Sequence, residues 1–477
     1  MTMRSPVRLA VATLMLSIAM LGTAPPSDAQ PVGPRGLEIA VLALDGVLTG
    51  PESLLRVQLA VRNPGPRAAD GLQVTAALYQ RMSSRFAFRQ AMDDGQVAGS
   101  QAGQITSQLE PAILSPLPAG SSQTVELQAT ARELRIDQPA QQGVYPLRIT
   151  LQRRGLELAR VTTSVVAVVT HVDNPLRMAL LIPIDHAPGL LADGSYDQRL
   201  PRALTPGGVL DRIARELEAE ARFPLTLAPS GYLLEQVTDL TDGYQASSGA
   251  NEVIAGEPST HDAAAFLARL RDITSRAGVE ELALAYGPAD LVALVRAGLG
   301  KEARRELSEG TGAVERAIGQ QVLRGVLLPA GGLDRATMRI ARAEAVDTVV
   351  LDEESVRVEG ERPPSTTPSP VRYLDSGETV LVPDPLLDDV LSRPASDDNH
   401  VLTAQRVIAE TAAVYFERPF ASDPRGVLVQ TPRQWDPPAG FLAQLLARTR
   451  SAPWLRPVDL SGLQRDVKAS QEVALAY

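Results

Sequence analysis

The spacing of apolar residues changes once along the chain. From residue 37 to 170, apolar and polar positions alternate over short runs, as in Leu55-Arg56-Val57-Gln58-Leu59-Ala60-Val61 and Leu72-Gln73-Val74-Thr75. A period of two places every second side chain on one face of a strand, so these runs predict half-buried strands. More strands are predicted at 124–129, 144–152 and 159–169, and the turn formers Asn63-Pro64-Gly65-Pro66 and Pro118-Ala119-Gly120 punctuate the series. About six to eight short strands separated by turns predict an all-β, Ig-like sandwich over residues 30–172. The polar, Gly- and Gln-rich stretch 90–108 reads as a long loop.

After Asn174-Pro175, strand-like apolar runs alternate with amphipathic helices. The predicted strands are 178–184, 225–228, 282–285, 325–328, 348–351, 379–382 and 426–429. Helices are predicted at 209–223, 263–276, 289–299, 302–323, 335–343, 401–415 and 441–448, with helical turns around Leu233. Such alternation predicts a parallel sheet covered by helices. About seven strands in a segment of this length predict a distorted (β/α) barrel over residues 173–460, with a tail at 461–477. The Pro-, Ser- and Thr-rich stretch 362–370 reads as a surface loop. No Gly-rich phosphate loop follows any strand, which argues against nucleotide binding.

The first 29 residues add a location. Arg4 and Arg8 precede an apolar run from Leu9 to Leu21, and Ser27-Asp28-Ala29 follows, which is the three-part pattern of a secretory signal peptide. The run is short of the roughly 20 apolar residues that span a bilayer. The expectation is therefore an exported mature chain with no membrane span, with uncleaved anchoring as the alternative. A net charge of -10 over 477 residues argues against nucleic acid as partner, because that role needs a concentrated basic surface. Cysteine is absent, which removes thiol catalysis, disulfides and thiolate metal sites.

In parallel α/β folds, ligands meet the carboxyl ends of the strands. Asp185 and His186 follow the first predicted strand of this region, Tyr286 and Asp290 the third, and Asp334 the fourth. Asp352, Glu353 and Glu354 follow the fifth, Asp384 the sixth, and Arg433, Trp435 and Asp436 the last. Two carboxyl groups from different strands, one neutral and one ionised, would suit glycoside hydrolysis with a sugar stacked on Trp435. Asp185, Asp352 and Asp436 are the candidate catalytic acids. His186, Tyr286, Asp290, Arg433 and Trp435 are the candidate ligand contacts, with Tyr232 a further sugar platform. Each has a plainer reading: Asp334 and Asp384 as helix caps, 352–354 as a solvated rim, the aromatics as core. His171, His186, His261 and His400 are scattered, with no pair at helical spacing, so no metal site and no cofactor are expected. A Gly-x-Ser-x-Gly nucleophile elbow is also missing.

Several segments resemble an uncharacterised actinobacterial envelope-protein family whose genes often lie beside a lipid-II-flippase-like protein. They are ALAYGPADLVALVRAGL from Ala283, LLPAGGLD from Leu327, VPDPLLDDVL from Val382, AQRVIAETA from Ala404, TPRQWDPPAGF from Thr431 and PWLRPVDL from Pro453. Trp435-Asp436-Pro437 and Pro453-Trp454-Leu455 are the most specific of them, and the resemblance covers nearly the whole mature chain. It implies an exported sandwich joined to a glycosidase- or deacetylase-like barrel, and a carboxyl-terminal membrane anchor that this sequence, ending at Tyr477, does not include. It also implies acids at three positions where this chain has Ala228, Pro288 and Gly331. The resulting expectation is a non-catalytic envelope protein that binds cell-wall glycan or an envelope protein. The alternative is an active glycoside hydrolase using paired carboxylates at the strand ends.

Overall fold

The structure, a computed structural model, describes residues 36–93, 105–247, 252–254, 256–358, 370–393, 399–469 and 472–476. The leader 1–29, positions 94–104 of the expected loop 90–108 and positions 362–369 of the expected loop 362–370 lie outside the described residues.

The amino-terminal region is largely β-sheet. Glu38–Asp45, Leu54–Arg62 and Ser122–Thr130 form one antiparallel sheet. Leu72–Tyr79, Gly143–Arg153 and Leu156–Ala167 form the centre of a second sheet, edged by the short strands Ile105–Gln108, Ala112–Ile113 and Val47–Leu48. The alternation in the sequence decides which side chains turn inward: Leu55, Val57, Leu59 and Val61 are buried while Arg56 and Arg62 are exposed. Val57 and Leu59 from one sheet and Val74, Ile149 and Val161 from the other fill a single core, so the two sheets are stacked layers. A helix, Arg85–Asp93, begins where no helix was expected and runs into the expected loop. Ser84 caps it by accepting a hydrogen bond from the Ala87 amide at 3.1 Å, and Arg85, Phe88 and Ala91 are its buried face.

The rest of the chain is mixed α/β. Leu176–Ile184 is apolar on both faces, as a central parallel strand must be. It pairs in parallel with Leu225–Pro229, Gly426–Gln430 and Leu455–Val458, and Leu225–Pro229 pairs with Val279–Glu281. In the second sheet Val326–Leu327, Thr348–Val350 and Thr379–Leu381 run parallel, and Val371–Leu374 joins antiparallel to the last of them. Ala179, Leu181, Ala228 and Leu284 share one interior with Leu328, Val350, Leu381 and Leu428. Backbone hydrogen bonds cross between the sheets from the Leu323 amide to Glu281 at 2.7 Å and from the Asp384 amide to Leu428 at 2.8 Å. The parallel strands therefore curl around a common core, with helices such as Val209–Ala219, Gly231–Thr241 and Pro258–Thr274 packed outside.

Of the segment 461–477, expected as a tail, the described residues 461–469 and 472–476 are built into this body. Helix Leu460–Asp466 is capped by Asp459 and puts Leu460, Leu463 and Val467 into the shared interior, at the i, i+3, i+7 spacing of one helical face. Glu472–Leu475 adds a strand beside Val371–Leu374 and Val356–Val358. No helix among the described residues is long and apolar enough to cross a membrane.

The two regions are joined by buried charge. Arg85 is 1% exposed; its Nη1 and Nη2 donate to Asp384 at 2.7 and 2.8 Å, and its Nε donates to Glu410 at 2.8 Å. Burial opposes the guanidinium charge, but the two carboxylates outweigh it and hold Arg85 above its usual range. Glu410, on helix His400–Glu417, also accepts from Arg406 Nε at 2.8 Å, and Arg406 lies over the Phe88 ring and reaches Asp93. The same helix meets the sheets directly, with Gln405 donating to the Ser164 carbonyl at 3.0 Å. Arg85→Met should leave Asp384 a buried carboxylate without a cation and Glu410 with Arg406 alone, and cost about 3–5 kcal/mol. Urea unfolding of the full chain checks this, and a loss under about 1 kcal/mol, the range of a surface pair, would contradict it.

Candidate functional site

The ends of the strands do not gather all the expected residues. After Leu176–Ile184, Asp185 Oδ1 accepts from the His186 amide at 2.9 Å, and His186 Nδ1 lies 2.8 Å from the Ala187 carbonyl. Arg433, half-buried beyond Gly426–Gln430, donates to the Leu328 carbonyl at 2.9 Å. Burial lowers its pKa, while the charges of Asp185 and Asp352 support its cation, so these three residues form one electrostatic group.

Next to that group is a cleft of about 620 Å³. Asp352, Glu353 and Glu354, following Thr348–Val350, line the cleft together with Asp388, Pro383, Gln430 and Thr431, among others. Asp388 is on helix Pro385–Ser392. Asp384 caps this helix by accepting from the Leu386 and Leu387 amides, both at 3.1 Å, and Pro385 supplies the fixed φ favoured at a first helical position. Leu387, Val390 and Leu391 take the core side, which leaves Asp388 on the flank facing the cleft. Its Oδ1 accepts from the Gln430 amide at 3.1 Å.

Burial pushes the Asp388 carboxyl up to about 8; the Gln430 hydrogen bond opposes this, and the charges of Asp384 and Asp352 add to it. Asp352 is also raised, first by desolvation and then by Glu354, against the pull of Arg433. The cleft thus combines a carboxyl group that keeps its proton at neutral pH with a second carboxyl group of raised pKa. Two more polar groups are unsatisfied there: Thr431 Oγ1 and Gln430 Oε1 are buried without a hydrogen-bond partner, and Thr431 is 0% exposed. Among the described residues no group of His, Asp and Glu side chains is placed to hold a metal ion.

The remaining expected site residues have structural partners. Asp436 pairs with Arg212 and is exposed, away from the cleft lining. Trp435 is 8% exposed and packs edge-on to Phe441 at 5.9 Å, so its ring offers no open face. Tyr286 donates to Glu235 at 2.6 Å with its ring against Tyr232 at 5.8 Å, and burial raises its hydroxyl to about 12. Asp290 and Asp334 cap helices Leu291–Arg296 and Arg335–Ala343, and Asp334 also accepts from Arg296. Asp384 is the partner of Arg85. Ala228 belongs to the apolar interior. The residues that sequence reasoning missed are Gln430, Thr431 and Asp388. The only signal of Asp388 was a carboxylate in the first turn after Asp384-Pro385, and Asp389 beside it shows the same residue type.

Over residues 2–476 the chain matches the model of a family of unknown function, DUF6049, and it belongs to that family. No curated protein matches it in sequence. Among solved structures it is similar to a GH57-type branching enzyme from Pyrococcus horikoshii, at 13% identity and TM-score 0.45, over 63% of this chain and 72% of that one. It is similar also to a 4-alpha-glucanotransferase from Thermococcus litoralis, at 15% identity and TM-score 0.44, over 63% of this chain and 42% of that one. A CARDB domain from Pyrococcus furiosus matches over 28% of this chain and 96% of that one, at 13% identity and TM-score 0.19. Likenesses this distant say nothing about activity.

Glu281 makes the protonation state of the molecule measurable. It is 5% exposed, and burial raises it to about 7; Thr274 and Gln320 lower it only in part, since neither reaches hydrogen-bond geometry. Unfolded carboxyls titrate near about 4. Above that pH the native state holds protons on Glu281 and Asp388 that the unfolded chain has released, so these groups make stability fall as pH rises, levelling off above about 7 and about 8. Glu281→Gln should remove the part of this fall that ends near 7, and Asp388→Asn the part that extends to 8. Urea midpoints from pH 5 to about 9 check this, and parallel profiles for wild type and both variants would contradict it.

Proposed function

We propose that this is an exported cell-envelope protein whose strand-end cleft binds cell-wall glycan without cleaving it. In this reading the stacked β-sheets are an Ig-like spacer and the α/β body is a (β/α) barrel that carries the ligand. The observation that carries it is the cleft's pair of unused polar groups, the Thr431 hydroxyl and the Gln430 side-chain oxygen, beside the protonated Asp388. Hydroxyl-rich ligands supply donors and acceptors to such groups, and an unsatisfied buried polar atom costs about 1–3 kcal/mol until it is partnered. The leader pattern at 1–29 supports export. The absence of a carboxylate at Ala228, Pro288 and Gly331 supports binding over hydrolysis.

One observation favours the second reading, glycoside hydrolysis. Asp388 holds a proton that a leaving group could take, and Asp352 on the same cleft could activate water. One experiment separates the two. Residues 30–477 are incubated with isolated peptidoglycan and arabinogalactan, and retained protein and released sugars are measured in the same tubes. Retention without release is expected, weakened about fivefold to tenfold by Thr431→Val, the effect of one lost hydrogen bond. Release that Asp388→Asn abolishes would overturn the binding reading in favour of hydrolysis. Neither retention nor release would overturn both and leave an envelope protein as the partner.

A further inference from the structure

We infer that the cleft selects a cationic glycan, a hexosamine unit with its amine free, held between the loop 352–354 and Asp388. The inference rests on the glycan-binding reading and names the substrate class within it.

Three acids at other strand ends are matched by arginine, Asp334 by Arg296, Asp436 by Arg212 and Asp384 by Arg85, while Asp290 caps a helix. The cleft is different. Four of the residues lining it are acidic and none is basic. Arg433, the nearest cation, is engaged with the Leu328 carbonyl and shared between Asp185 and Asp352. Asp388 has one hydrogen-bond partner, the Gln430 amide, and no basic side chain among the described residues pairs with it or with Glu354.

An acidic wall alone would be a solvated rim. The independent sign of a ligand is Thr431, fully buried on the cleft with its hydroxyl unpartnered, next to Gln430 Oε1 in the same condition. Both can accept hydrogen bonds, and an ammonium group offers donors with no acceptor. The volume of about 620 Å³ lies within the range for small-ligand pockets, which suits sugar rings better than a protein surface. Asp388 keeps its proton in the free protein because burial and the neighbouring carboxylates disfavour a further negative charge. A cation beside it reverses that balance and favours the carboxylate. The groups around it are consistent with this. On its own helix Asp384 is neutralised by Arg85 and Asp389 pairs with Arg393; the cleft also holds Asp352, Glu353 and Glu354, and the charge of Arg433 acts on Asp352.

The test is calorimetric titration of the full chain with a glucosamine tetramer and with the matched N-acetylglucosamine tetramer, at low and physiological salt. The amine form should bind at least about tenfold tighter, about 1.4 kcal/mol, with the preference shrinking as salt is raised. Asp388→Asn and Glu354→Gln should each reduce the preference several-fold, while Glu52→Gln, an exposed acid on the β-sheet region, should leave it intact. Thermal midpoints confirm that each variant is folded. Equal or tighter binding of the acetylated tetramer would overturn the inference and leave the glycan reading standing. So would a preference that survives both cleft variants, because the amine would then be held by the net negative surface. If neither tetramer binds while wall polysaccharide still retains the protein, the substrate class is wrong. If no glycan of any kind is retained, the functional reading itself fails.

Discussion

Arg85 holds the molecule together at the point where its two halves meet, and it does so with charge in a place where charge is expensive. A guanidinium and two carboxylates taken out of water carry several kcal/mol of desolvation each, recovered only when the geometry is close to ideal. Here it is: two parallel donors face Asp384 and a third faces Glu410, all within 2.8 Å. The arrangement also reaches beyond the interface. Asp384 caps the helix that carries Asp388, so the residue that anchors the β-sheet region also fixes the first turn of the cleft wall. Loss of the β-sheet region would therefore affect the cleft through one side chain.

Electrostatics divides the strand-end acids into two kinds. Asp334 has an arginine partner and two hydrogen bonds from Thr337, and its pKa is lowered although burial works in the opposite direction. Asp388 has one backbone hydrogen bond and no cation, and burial wins. The difference comes from partners: two aspartates near helix starts become structural or titratable according to what faces them. Glu281 shows the same rule away from the cleft, with a raised carboxyl and partners that stay out of hydrogen-bond range.

What could be read from the sequence follows the range of the interactions. Period-two alternation is local, so Leu54–Arg62 and Ser122–Thr130 were legible, as were the apolar runs of the parallel strands. Arg335–Ala343 was legible at both ends, because Asp334 is a good cap and the apolar face is narrow. Helix Arg85–Asp93 was not, since its buried face is completed by an arginine whose partners lie 299 and 325 positions away. Trp435 and Asp436 stood out in the sequence by residue type, yet one serves the core and the other a surface pair. Asp388 was hidden because helical periodicity separates the core face from the rest, and cannot separate a flank over a cleft from a flank in water. The placement of Asp352 and Arg433 beyond the strand ends was legible from the pattern of strands, and their charges interact there.

The positions of these residues around the strand ends complete the physical picture. Leu225–Pro229, Val279–Glu281 and Val326–Leu327 finish in Ala228-Pro229, Tyr286-Gly287-Pro288 and Pro329-Ala330-Gly331, segments without a carboxylate. Thr348–Val350, Thr379–Leu381 and Gly426–Gln430 finish in the residues that line the cleft. The acidic cleft thus lies on the side braced by Arg85 and Glu410. A cleft lined by acids repels itself, and mutual repulsion would open a loosely held wall. With one wall fixed through a buried ion pair, protonation of Asp388 lowers the repulsion among the acids of the cleft.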